Sequence, residues 1–512
     1  MNGAESLVRT LLTSGVDTCF ANPGTSEMHF VAALDRVPGM RCILGLFEGV
    51  ATGAADGYAR MAGKPAASLL HCGPGLANGL ANLHNARRAH VPLVNITGDQ
   101  ATYHKPLAPP LAADTEGFAR GVSGWVRTAA AAAEVGRLAA EAVQAALTPP
   151  GQVATLILPS DASWDEGGIP AAPLPAPAPG AVDEHRIAEV ARILSSREPA
   201  VILLGGRALR ATALADAHRV AAATGTRLLA ECFNTRMERG AGRHSIGRIP
   251  YAIDAALAAF EGVRHVILVE AADPVSFFAY PGRRGQLRPD DAALHVLAGQ
   301  AQDGADALAR LADRLGAPRL PPPSAPPPEP ARGAVTPEAF AHTLSALLPD
   351  DAIVVDESIT FGFGVFPATT GAARHDWLQL TGGAIGDGLP MATGAAVGAP
   401  GRRVVNLQAD GSALYTVQAL WTQAREKLAV TTVILSNRRY AILQGELQQV
   451  GATPGAASRT LFDLGRPDLD WVGIARGFGV EGARAETMEE FADLFARANR
   501  APGPFLIELA VP

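Results

Sequence analysis

The sequence predicts an α/β protein with three parallel-sheet domains. Short apolar or β-branched runs alternate with longer segments of helical pattern throughout its 512 residues. Two proline-rich tracts, beginning near residues 168 and 317, divide the chain into three pieces, each of a size expected for one domain. Strands that alternate with helices indicate parallel sheets, and proline-rich tracts favour extended connectors.

We place the domains at residues 1–167, 183–316 and 334–512, with linkers at 168–182 and 317–333. Each piece contains several apolar or β-branched runs of the length expected for strands. The candidate strands are residues 17–21, 41–47, 66–71, 93–97 and 154–158 in the first piece, 200–204, 227–231, 265–270 and 293–297 in the second, and 352–355, 403–407, 430–435 and 504–509 in the third.

Composition and charge narrow the range of functions. Hydrophobic residues make up 48% of the chain and charged residues 18%, as in globular proteins. The net charge of −7 and the absence of a basic stripe argue against nucleic acid as the main partner. We find no secretory signal and no apolar run long enough to cross a membrane, so we expect a cytoplasmic protein with no membrane partner. The four cysteines show no paired spacing for zinc or a redox dithiol.

Asp410 and Asn437 each follow a mostly apolar, strand-like run in the third piece. If a helix joins these runs as parallel neighbours, both residues lie at the same edge of a sheet. A carboxylate and an amide oxygen suit Mg²⁺, which commonly also binds phosphate oxygens. Gly411 and Ser412 open the intervening helix, whose free N–H groups favour an anion. The pattern predicts a magnesium-bridged diphosphate, and the alternative is a turn-forming Asp-Gly with an unrelated Asn.

Glu48 follows the apolar run at residues 42–47 and precedes a helix of small residues. A carboxylate at such a strand-to-helix junction is expected to be partly desolvated. The alternative interpretation is an ordinary acidic residue that is favoured at a helix N-terminus.

Two loops at predicted sheet edges carry further candidates. Residues 22–25 read Asn-Pro-Gly-Thr and close the first strand, either as part of a site or as a simple turn. His71 ends another strand before a glycine-rich segment, where it could donate a proton or be a satisfied structural histidine. Residues 381–390 form a glycine-dense loop in which Ile385 is the bulky apolar residue, and glycines there permit close approach to a ligand.

Taken together, these features resemble the thiamine-diphosphate-dependent 2-oxo acid decarboxylase and carboligase family. The resemblance spans nearly the whole chain and rests most strongly on the block from Asp410 to Asn437. Residues 22–24, His71 and Tyr440 are similar to the pattern of benzoylformate decarboxylases, and proteins labelled acetolactate synthase large subunit share it. The resemblance implies a pyrimidine-binding domain, a middle domain and a diphosphate-binding domain, in that order.

The resemblance also implies roles for individual residues. Glu48 would activate the cofactor, while His71 and Thr25 would act on the substrate. Mg²⁺ would be held by Asp410, Asn437 and the carbonyl of Arg439. The remaining candidates would bind thiamine diphosphate, with Ile385 supporting its bent shape; together with Asp410 and Asn437 they are Asn22, Pro23, Gly24, Asn78, Gly383, Ile385, Gly411, Ser412 and Tyr440.

The implied reaction is decarboxylation of a 2-oxo acid through an enamine, with release of an aldehyde. A carboligase that joins the enamine to a second carbonyl compound, with or without a relic flavin bound, is the alternative enzyme. A catalytically silent scaffold or regulatory subunit is the alternative outside enzymes. In the family, one active site takes residues from two subunits, so the resemblance implies a homodimer or homotetramer.

Several positions differ from the benzoylformate decarboxylase pattern. Thr25 replaces a serine, Ile442 is bulkier than the usual alanine, and Glu446 stands where an apolar substrate contact is expected. Asp387 replaces an aromatic or small residue, and residues 277–281 lack a second active-site histidine. These differences leave the identity of the 2-oxo acid open.

Overall fold

The computed structural model describes residues 1–322 and 328–512. Residues 323–327, which belong to the predicted second linker, lie outside the described residues. Three α/β units follow one another along the chain, each built around a sheet of parallel strands. The predicted fold class is therefore confirmed.

The first sheet contains six parallel strands in the order β2-β1-β3-β4-β6-β5. Its strands are β1 (Thr18–Ala21), β2 (Arg41–Leu44), β3 (Ala66–Leu70), β4 (Leu93–Asp99), β5 (Trp125–Thr128) and β6 (Val153–Pro159). The helices around it are α1 (Gly3–Thr13), α2 (Met28–Arg36), α3 (Glu48–Ala62), α4 (Cys72–Arg88), α5 (Thr115–Arg120), α6 (Ala132–Leu147) and α7 (Ser160–Trp164), with 3-10 helices at Thr25–Glu27 and Lys105–Leu107.

The second sheet contains five parallel strands in the order β10-β8-β7-β11-β12. The strands of this part of the chain are β7 (Ala200–Leu204), β8 (Arg227–Ala230), β9 (Met237–Arg239), β10 (Gly247–Arg248), β11 (His265–Val269) and β12 (Ala293–Ala298). Its helices are α8 (Glu184–Ser195), α9 (Ala211–Thr224), α10 (Ile253–Ala258) and α11 (Gly304–Arg314), with a 3-10 helix at Gly206–Leu209.

The third sheet contains seven strands in the order β17-β18-β16-β15-β13-β14-β9. Its own strands are β13 (Ala352–Glu357), β14 (His375–Gln379), β15 (Val404–Ala409), β16 (Val430–Ser436), β17 (Glu481–Ala485) and β18 (Phe505–Ala510). Its helices are α12 (Pro337–Leu347), α13 (Val365–Ala368), α14 (Gly388–Gly398), α15 (Asp410–Ala413), α16 (Ala419–Arg425), α17 (Ala441–Gln449), α18 (Ala456–Phe462), α19 (Trp471–Gly477) and α20 (Met488–Arg500), with a 3-10 helix at Thr369–Gly371.

One edge of the third sheet is supplied by the middle part of the chain. β9 pairs antiparallel with β14, and Trp377 lies opposite Met237. The sequence pattern did not predict β9, because a three-residue strand is too short to show the alternation of apolar and polar residues that identifies strands. The pairing joins the second and third units through backbone hydrogen bonds.

Helices α3 and α14 join the first and third units in close contact. A Cβ on Gly57 would lie 2.1 Å from the Met391 carbonyl oxygen, and one on Gly394 would lie 1.8 Å from the Ala54 oxygen. Only glycine permits backbones to approach so closely. Helix α3 ends at Gly63, whose φ of +67° is the left-handed conformation that terminates helices.

A buried ion pair adds polar contacts to this junction. The Arg60 guanidinium donates two hydrogen bonds of 2.7 Å to the Asp56 carboxylate, and both side chains are fully buried. Arg60 also donates to the carbonyl oxygens of Thr235 and Gln379, at 3.1 and 2.8 Å. The ion pair therefore contacts all three units. Replacing either Asp56 or Arg60 by a neutral residue would leave the other charge buried and uncompensated.

None of the helices in residues 1–322 and 328–512 is both long and apolar enough to span a bilayer.

Candidate active site

The structure brings Asp410 next to the turn that contains Asn437. β15 and β16 are parallel neighbours, with Ala409 opposite Leu435, so both turns leave the same edge of the third sheet. The Asp410 carboxylate accepts a 2.6 Å hydrogen bond from the Arg438 N–H and one of 2.8 Å from the Gly411 N–H. Asp410 is therefore held against the residue that follows Asn437.

The oxygen atoms at this edge suit a hard cation. Asp410 is 2% exposed, and burial raises the pKa of its carboxyl group, so a bound cation would stabilise its charged form. The Asn437 side-chain oxygen accepts from the Arg439 N–H at 3.1 Å, and the Arg439 carbonyl accepts from the Ala441 N–H at 3.0 Å. Each of these two oxygens accepts only one described hydrogen bond and so keeps a second lone pair that can bind a cation. The donor set fits Mg²⁺.

Gly411, Ser412 and Tyr440 surround Asp410. A Cβ on Gly411 would lie 2.4 Å from Tyr440 Cε1, so the phenol ring packs directly on the glycine. The Ser412 hydroxyl accepts from Gln408 Nε2 at 2.7 Å. Between the two strands the chain forms two short helices, α15 and α16, instead of one continuous helix. The Gly411 N–H is already bonded to Asp410, which leaves fewer free N–H groups for an anion than the sequence predicts.

Glu48 is the first residue of α3. The preceding strand, β2, ends at Leu44, three residues earlier than predicted, but the strand-to-helix junction is present. The Asn78 side-chain amide donates a 3.0 Å hydrogen bond to Glu48 Oε2. A Cβ on Gly75 would lie only 3.2 Å from Glu48 Oε1. Helix α4 therefore positions the half-buried carboxylate from one side.

The loop at residues 22–25 lies beside Glu48 and His71. Asn22 donates from its side chain to the Gly45 carbonyl at 3.0 Å, which connects the ends of β1 and β2. A Cβ on Gly24 would lie between 2.3 and 2.5 Å from atoms of the His71 ring, so the ring packs on the glycine. Thr25 follows and is exposed. Pro23, between Asn22 and Gly24, is half-buried.

His71 belongs to a hydrogen-bonded group that the sequence analysis missed. Its Nδ1 lies 2.9 Å from Glu27 Oε2 and 2.9 Å from the Ser26 hydroxyl. Glu27 is 2% exposed and also accepts from the Gly24 N–H at 2.8 Å. A carboxylate on Nδ1 sets the orientation of the imidazole and leaves Nε2 for other contacts. The sequence signal was Glu27 itself, three residues after Gly24, at the spacing of a capping box.

Glu27, His71 and Cys72 could in principle hold a metal ion, because one ligand atom of each lies within 4.8 Å of the others. The Ser26 hydroxyl contacts all three side chains, including Cys72 Sγ at 3.2 Å. Burial raises the pKa of the Cys72 thiol to about 11, which disfavours the thiolate that binds metals. The group is therefore better described as a hydroxyl-centred network.

The glycine-dense loop around Ile385 is held from two sides. Asn85 of α4 donates to the Ala384 carbonyl at 2.8 Å and accepts from the Ala384 N–H at 3.1 Å. Gly383 has φ +78°, and a Cβ there would lie 2.5 Å from Phe277 Cζ. Ile385 itself is half-buried. These contacts give the loop a defined conformation next to α4.

Glu357 is a second buried acid that the sequence analysis missed. It accepts from the N–H groups of Gly386 and Gly388, at 2.6 and 2.5 Å, and it is 2% exposed. Burial raises the pKa of its carboxyl group. Asp387, between the two glycines, is fully buried, and neither of its oxygens has a hydrogen-bond partner among the described residues. Burial, followed by the Asp56 charge, raises the pKa of Asp387 well above its usual range.

A cavity of about 200 Å³ adjoins the Asp410 group. It is bordered by α17, which begins at Ala441 directly after Tyr440, and Ile442 and Glu446 line it. The Glu446 carboxylate accepts from the Tyr280 hydroxyl at 2.9 Å and from the Tyr251 hydroxyl at 3.2 Å. Burial and the nearby Glu446 raise the pKa of Tyr280 to about 12, so the phenol stays a donor. One wall of the cavity is therefore acidic.

The Glu48 and Asp410 groups are separate within one chain. Glu48 and His71 lie at the first sheet, and Asp410 and Tyr440 lie at the third. Across residues 1–322 and 328–512, no side-chain hydrogen bond connects Glu48 with Asp410.

Comparison with protein-family models matches two segments of the chain. Residues 1–119 match the N-terminal TPP-binding domain of thiamine pyrophosphate enzymes, and residues 364–509 match their C-terminal TPP-binding domain. Both candidate groups described above fall within these segments. The chain belongs to the thiamine pyrophosphate-dependent enzymes, as the sequence resemblance predicted.

Individual relatives extend over the whole chain. A protein of Mycobacterium tuberculosis, named as a candidate acetolactate synthase large subunit (IlvX), is 54% identical and covers 100% of this chain and 99% of its own length. Benzoylformate decarboxylase of Pseudomonas aeruginosa is 30% identical, with coverage of 97% and 96%. The solved structure of the thiamine diphosphate-dependent 4-hydroxybenzoylformate decarboxylase of Rhodococcus jostii RHA1 superposes with a TM-score of 0.86 at 26% identity, and the match covers 100% of this chain and 99% of that one. Both decarboxylases and acetolactate synthase-like proteins are thus relatives.

Proposed function

We propose that this protein is a thiamine-diphosphate- and Mg²⁺-dependent enzyme that decarboxylates a 2-oxo acid and releases an aldehyde. The observation that carries the proposal is the position of Glu48, the first residue of α3, with Asn78 bonded to one of its oxygens. In a member of this family, such a carboxylate is available to hold a proton on the pyrimidine ring of the cofactor. Residues 1–167 and 334–512 would supply its pyrimidine and diphosphate sites.

Asp410 and its neighbours would hold the metal and the diphosphate. The carboxylate of Asp410, the side-chain oxygen of Asn437 and the carbonyl of Arg439 would be the Mg²⁺ ligands from the protein. Gly411 and Ser412 would contact the diphosphate, with Tyr440 packed over Gly411 to exclude water. Oxygen ligands that leave room for phosphate oxygens are the usual environment of this ion.

The bound cofactor supplies a thiazolium ring that accepts the electron pair released when CO₂ leaves. The protein supplies position and charge. Glu48 would keep the pyrimidine in its reactive protonation state, and Asn78 would hold Glu48 in place. Ile385 and Gly383, on the loop that Asn85 holds, would support the bent shape of the cofactor. Asn22, Pro23 and Gly24 would line its pyrimidine end.

His71 and Thr25 would act on the substrate. Because Glu27 and Ser26 engage Nδ1 of His71, Nε2 is the ring nitrogen available to deliver a proton to the product carbon. The exposed hydroxyl of Thr25 would bind the substrate carboxylate. Glu446 would face the distal end of the substrate.

An active site formed between two copies of the chain is part of the proposal. Glu48 and Asp410 belong to separate groups within one chain, and a second copy would bring a Glu48 group to an Asp410 group. The assembly would be a homodimer or a homotetramer.

Carboligation is the second candidate reaction. The relative with 54% identity carries an acetolactate synthase name, which favours transfer to a second carbonyl compound over release of an aldehyde. Apart from His71, whose proton transfer belongs to aldehyde release, the residues named above would serve both reactions, because the two differ only after CO₂ has left.

The proposal is tested with Glu48→Gln and a substrate panel. We expect the purified protein to bind thiamine diphosphate with Mg²⁺ and to release CO₂ from at least one aliphatic, aromatic or acidic 2-oxo acid. Glu48→Gln should lower turnover at least 100-fold while the cofactor Kd changes less than threefold, since the amide keeps the shape but cannot hold the proton. Glu261→Gln, at an exposed glutamate, is the control.

Product analysis separates the two reactions. An aldehyde in the product supports decarboxylation, and a 2-hydroxyketone supports carboligation. Cofactor binding without CO₂ release from any substrate would refute both reactions. Undiminished turnover in Glu48→Gln would refute the role of Glu48.

A further inference from the structure

A second cavity, of about 460 Å³, lies where β9 of the middle part joins the third sheet. It adjoins the cavity that contains Glu446, and Tyr251 and Phe363 line both. The rings of these two residues stack with centroids 5.9 Å apart. They therefore form a wall between the two spaces, and the second cavity has its own set of polar groups.

Arg239 is the most informative of these groups. It lies on β9, it is fully buried, and its Nη2 donates to the Thr370 hydroxyl at 3.1 Å. Its Nε and Nη1 have no hydrogen-bond partner among the described residues. The guanidinium stands 3.7 Å from the centroid of Phe366, a contact that satisfies neither N–H. Leaving a charged group buried and unpaired is costly, so these donors indicate a missing acceptor.

A second guanidinium lies on the same aromatic ring. Arg248 is 4.8 Å from the Phe366 centroid and lines the cavity. Ser245 also lines it, and its buried hydroxyl has no partner among the described residues. Among the described residues that line the cavity, none is acidic. The space therefore combines two cations and an unpaired hydroxyl.

Arg239 remains a cation at neutral pH. Burial, followed by the Arg248 charge, lowers the pKa of its guanidinium to about 9, and the charge of Asp356 opposes this change. An anion between the two arginines would remove the repulsion between them. Arg243 lies between β9 and β10, donates to the carbonyls of Arg239 and His375 at 3.4 and 3.0 Å, and does not line the cavity.

We propose that this cavity binds a small organic carboxylate, with its charged group on Arg239, Arg248 and Ser245 and its apolar body against Phe363 and Phe366. A planar guanidinium suits a carboxylate, because two parallel N–H···O bonds match its two oxygens. The cavity volume falls in the range of sites for small molecules. The remaining lining is largely apolar, including Ile246, Pro250 and Pro367, which suits an aromatic or branched body.

The proposal is tested by calorimetric titration of the purified full-length protein. The probes are benzoate, cyclohexanecarboxylate and isovalerate, with benzamide as the uncharged analogue and inorganic phosphate as the anion without an apolar body. We expect at least one carboxylate to bind at least tenfold more tightly than benzamide and phosphate. Arg248→Gln should weaken that binding at least tenfold, and Arg239→Met should do the same.

Controls locate the site. Arg227→Gln removes the same charge from an exposed residue of the same unit that does not line the cavity, and it should leave binding within twofold of the unchanged protein. His71→Ala should also leave it unchanged, because that residue belongs to the proposed active site. Failure of all three carboxylates to bind would overturn the proposal. So would equal binding of benzamide or phosphate, or binding that survives Arg248→Gln in full. Arg248 is half-buried, so its variant keeps the test valid if Arg239→Met does not fold.

Discussion

The side-chain amide of Asn78 donates a 3.0 Å hydrogen bond to Glu48 Oε2. The two residues belong to different helices of the first unit, since Glu48 begins α3 and Asn78 lies within α4. One carboxylate oxygen is thereby held by the protein, and the other is free of side-chain partners among the described residues. The arrangement lets Glu48 present Oε1 to a ligand in one orientation.

Replacing Asn78 should impair catalysis more than binding. We expect Asn78→Ala to lower kcat about tenfold, because a hydrogen bond to a charged group contributes about 1.5–3 kcal/mol and positions Glu48. The cofactor Kd should change by less than threefold. Asn78→Asp should lower kcat further, since a second carboxylate would repel Glu48. Steady-state kinetics and a cofactor titration measure both, and full kcat in Asn78→Ala would contradict a positioning role.

Asp410→Asn should separate metal binding from folding. The neutral amide removes the charge that a cation would compensate, so thiamine diphosphate should bind at least 100-fold more weakly in the presence of Mg²⁺. The unchanged protein should lose affinity similarly when EDTA removes the metal. Asp493→Asn, at an exposed aspartate of the same unit that is remote from Asp410 in the chain, is the control with the same chemical change. Cofactor titration followed by fluorescence quenching measures the effect; equal affinity with and without Mg²⁺ would argue against a metal-bridged diphosphate.

Glu446 should influence which 2-oxo acid is used. Its carboxylate, held by Tyr251 and Tyr280, favours substrates whose distal end donates a hydrogen bond and disfavours acidic ones. We expect Glu446→Leu to shift the ratio of kcat/KM toward purely apolar substrates by about tenfold or more, the size of effect that follows from removing a buried polar contact. Gln448→Leu, exposed on the same helix, should leave the ratio unchanged. An unaltered ratio in Glu446→Leu would place the substrate elsewhere.

Glu231 should make stability depend on pH. Burial raises the pKa of this carboxyl group from its usual 4.5 to about 7, with the Ala272 N–H and Arg88 opposing. A raised pKa in the folded state means that the contribution of Glu231 to stability is complete below pH 4.5 and is lost as the pH rises through 7. Because glutamine does not ionise, the stability of Glu231→Gln should not fall in this way as the pH rises.

The Tm of Glu231→Gln, measured by differential scanning calorimetry, should exceed that of the unchanged protein by a few degrees at pH 8 and match or fall below it at pH 5. Glu261→Gln, at an exposed glutamate without an ion pair among the described residues, should show no such trend. A Tm difference that is constant between the two pH values would mean that Glu231 is charged throughout this range.

Strand β14 is one of the strands that the sequence pattern did not predict, and its residues show the reason. Its residues, His375–Gln379, include three polar side chains, yet all five are buried. Asp376 is compensated by Arg236 and Arg402, at 2.8 and 2.6 Å, and Gln379 accepts from Asn234 at 3.1 Å. Asp376 and Gln379 are tolerated in the buried strand because distant parts of the chain pair with them, and no local pattern reveals that.

The sequence alone determined the family, the alternation of strands and helices, and the place of Asp410 and Asn437 at one sheet edge. These follow from local information, because parallel strands joined by a helix necessarily bring their carboxyl ends together. The glycine loops around Gly24 and Ile385 were also visible, since only glycine permits such close approach.

Tertiary structure alone decided which groups surround those residues. Glu27 and His71 are hydrogen-bonded although they lie 44 residues apart in the chain. Glu446 is hydrogen-bonded to Tyr280 and Tyr251, which lie 166 and 195 residues from it in the chain. The arginine pair on Phe366 depends on β9 leaving its own unit to join the third sheet. Such contacts arise from the packing of whole units against one another, and their energies depend on burial, which spacing along the chain does not encode.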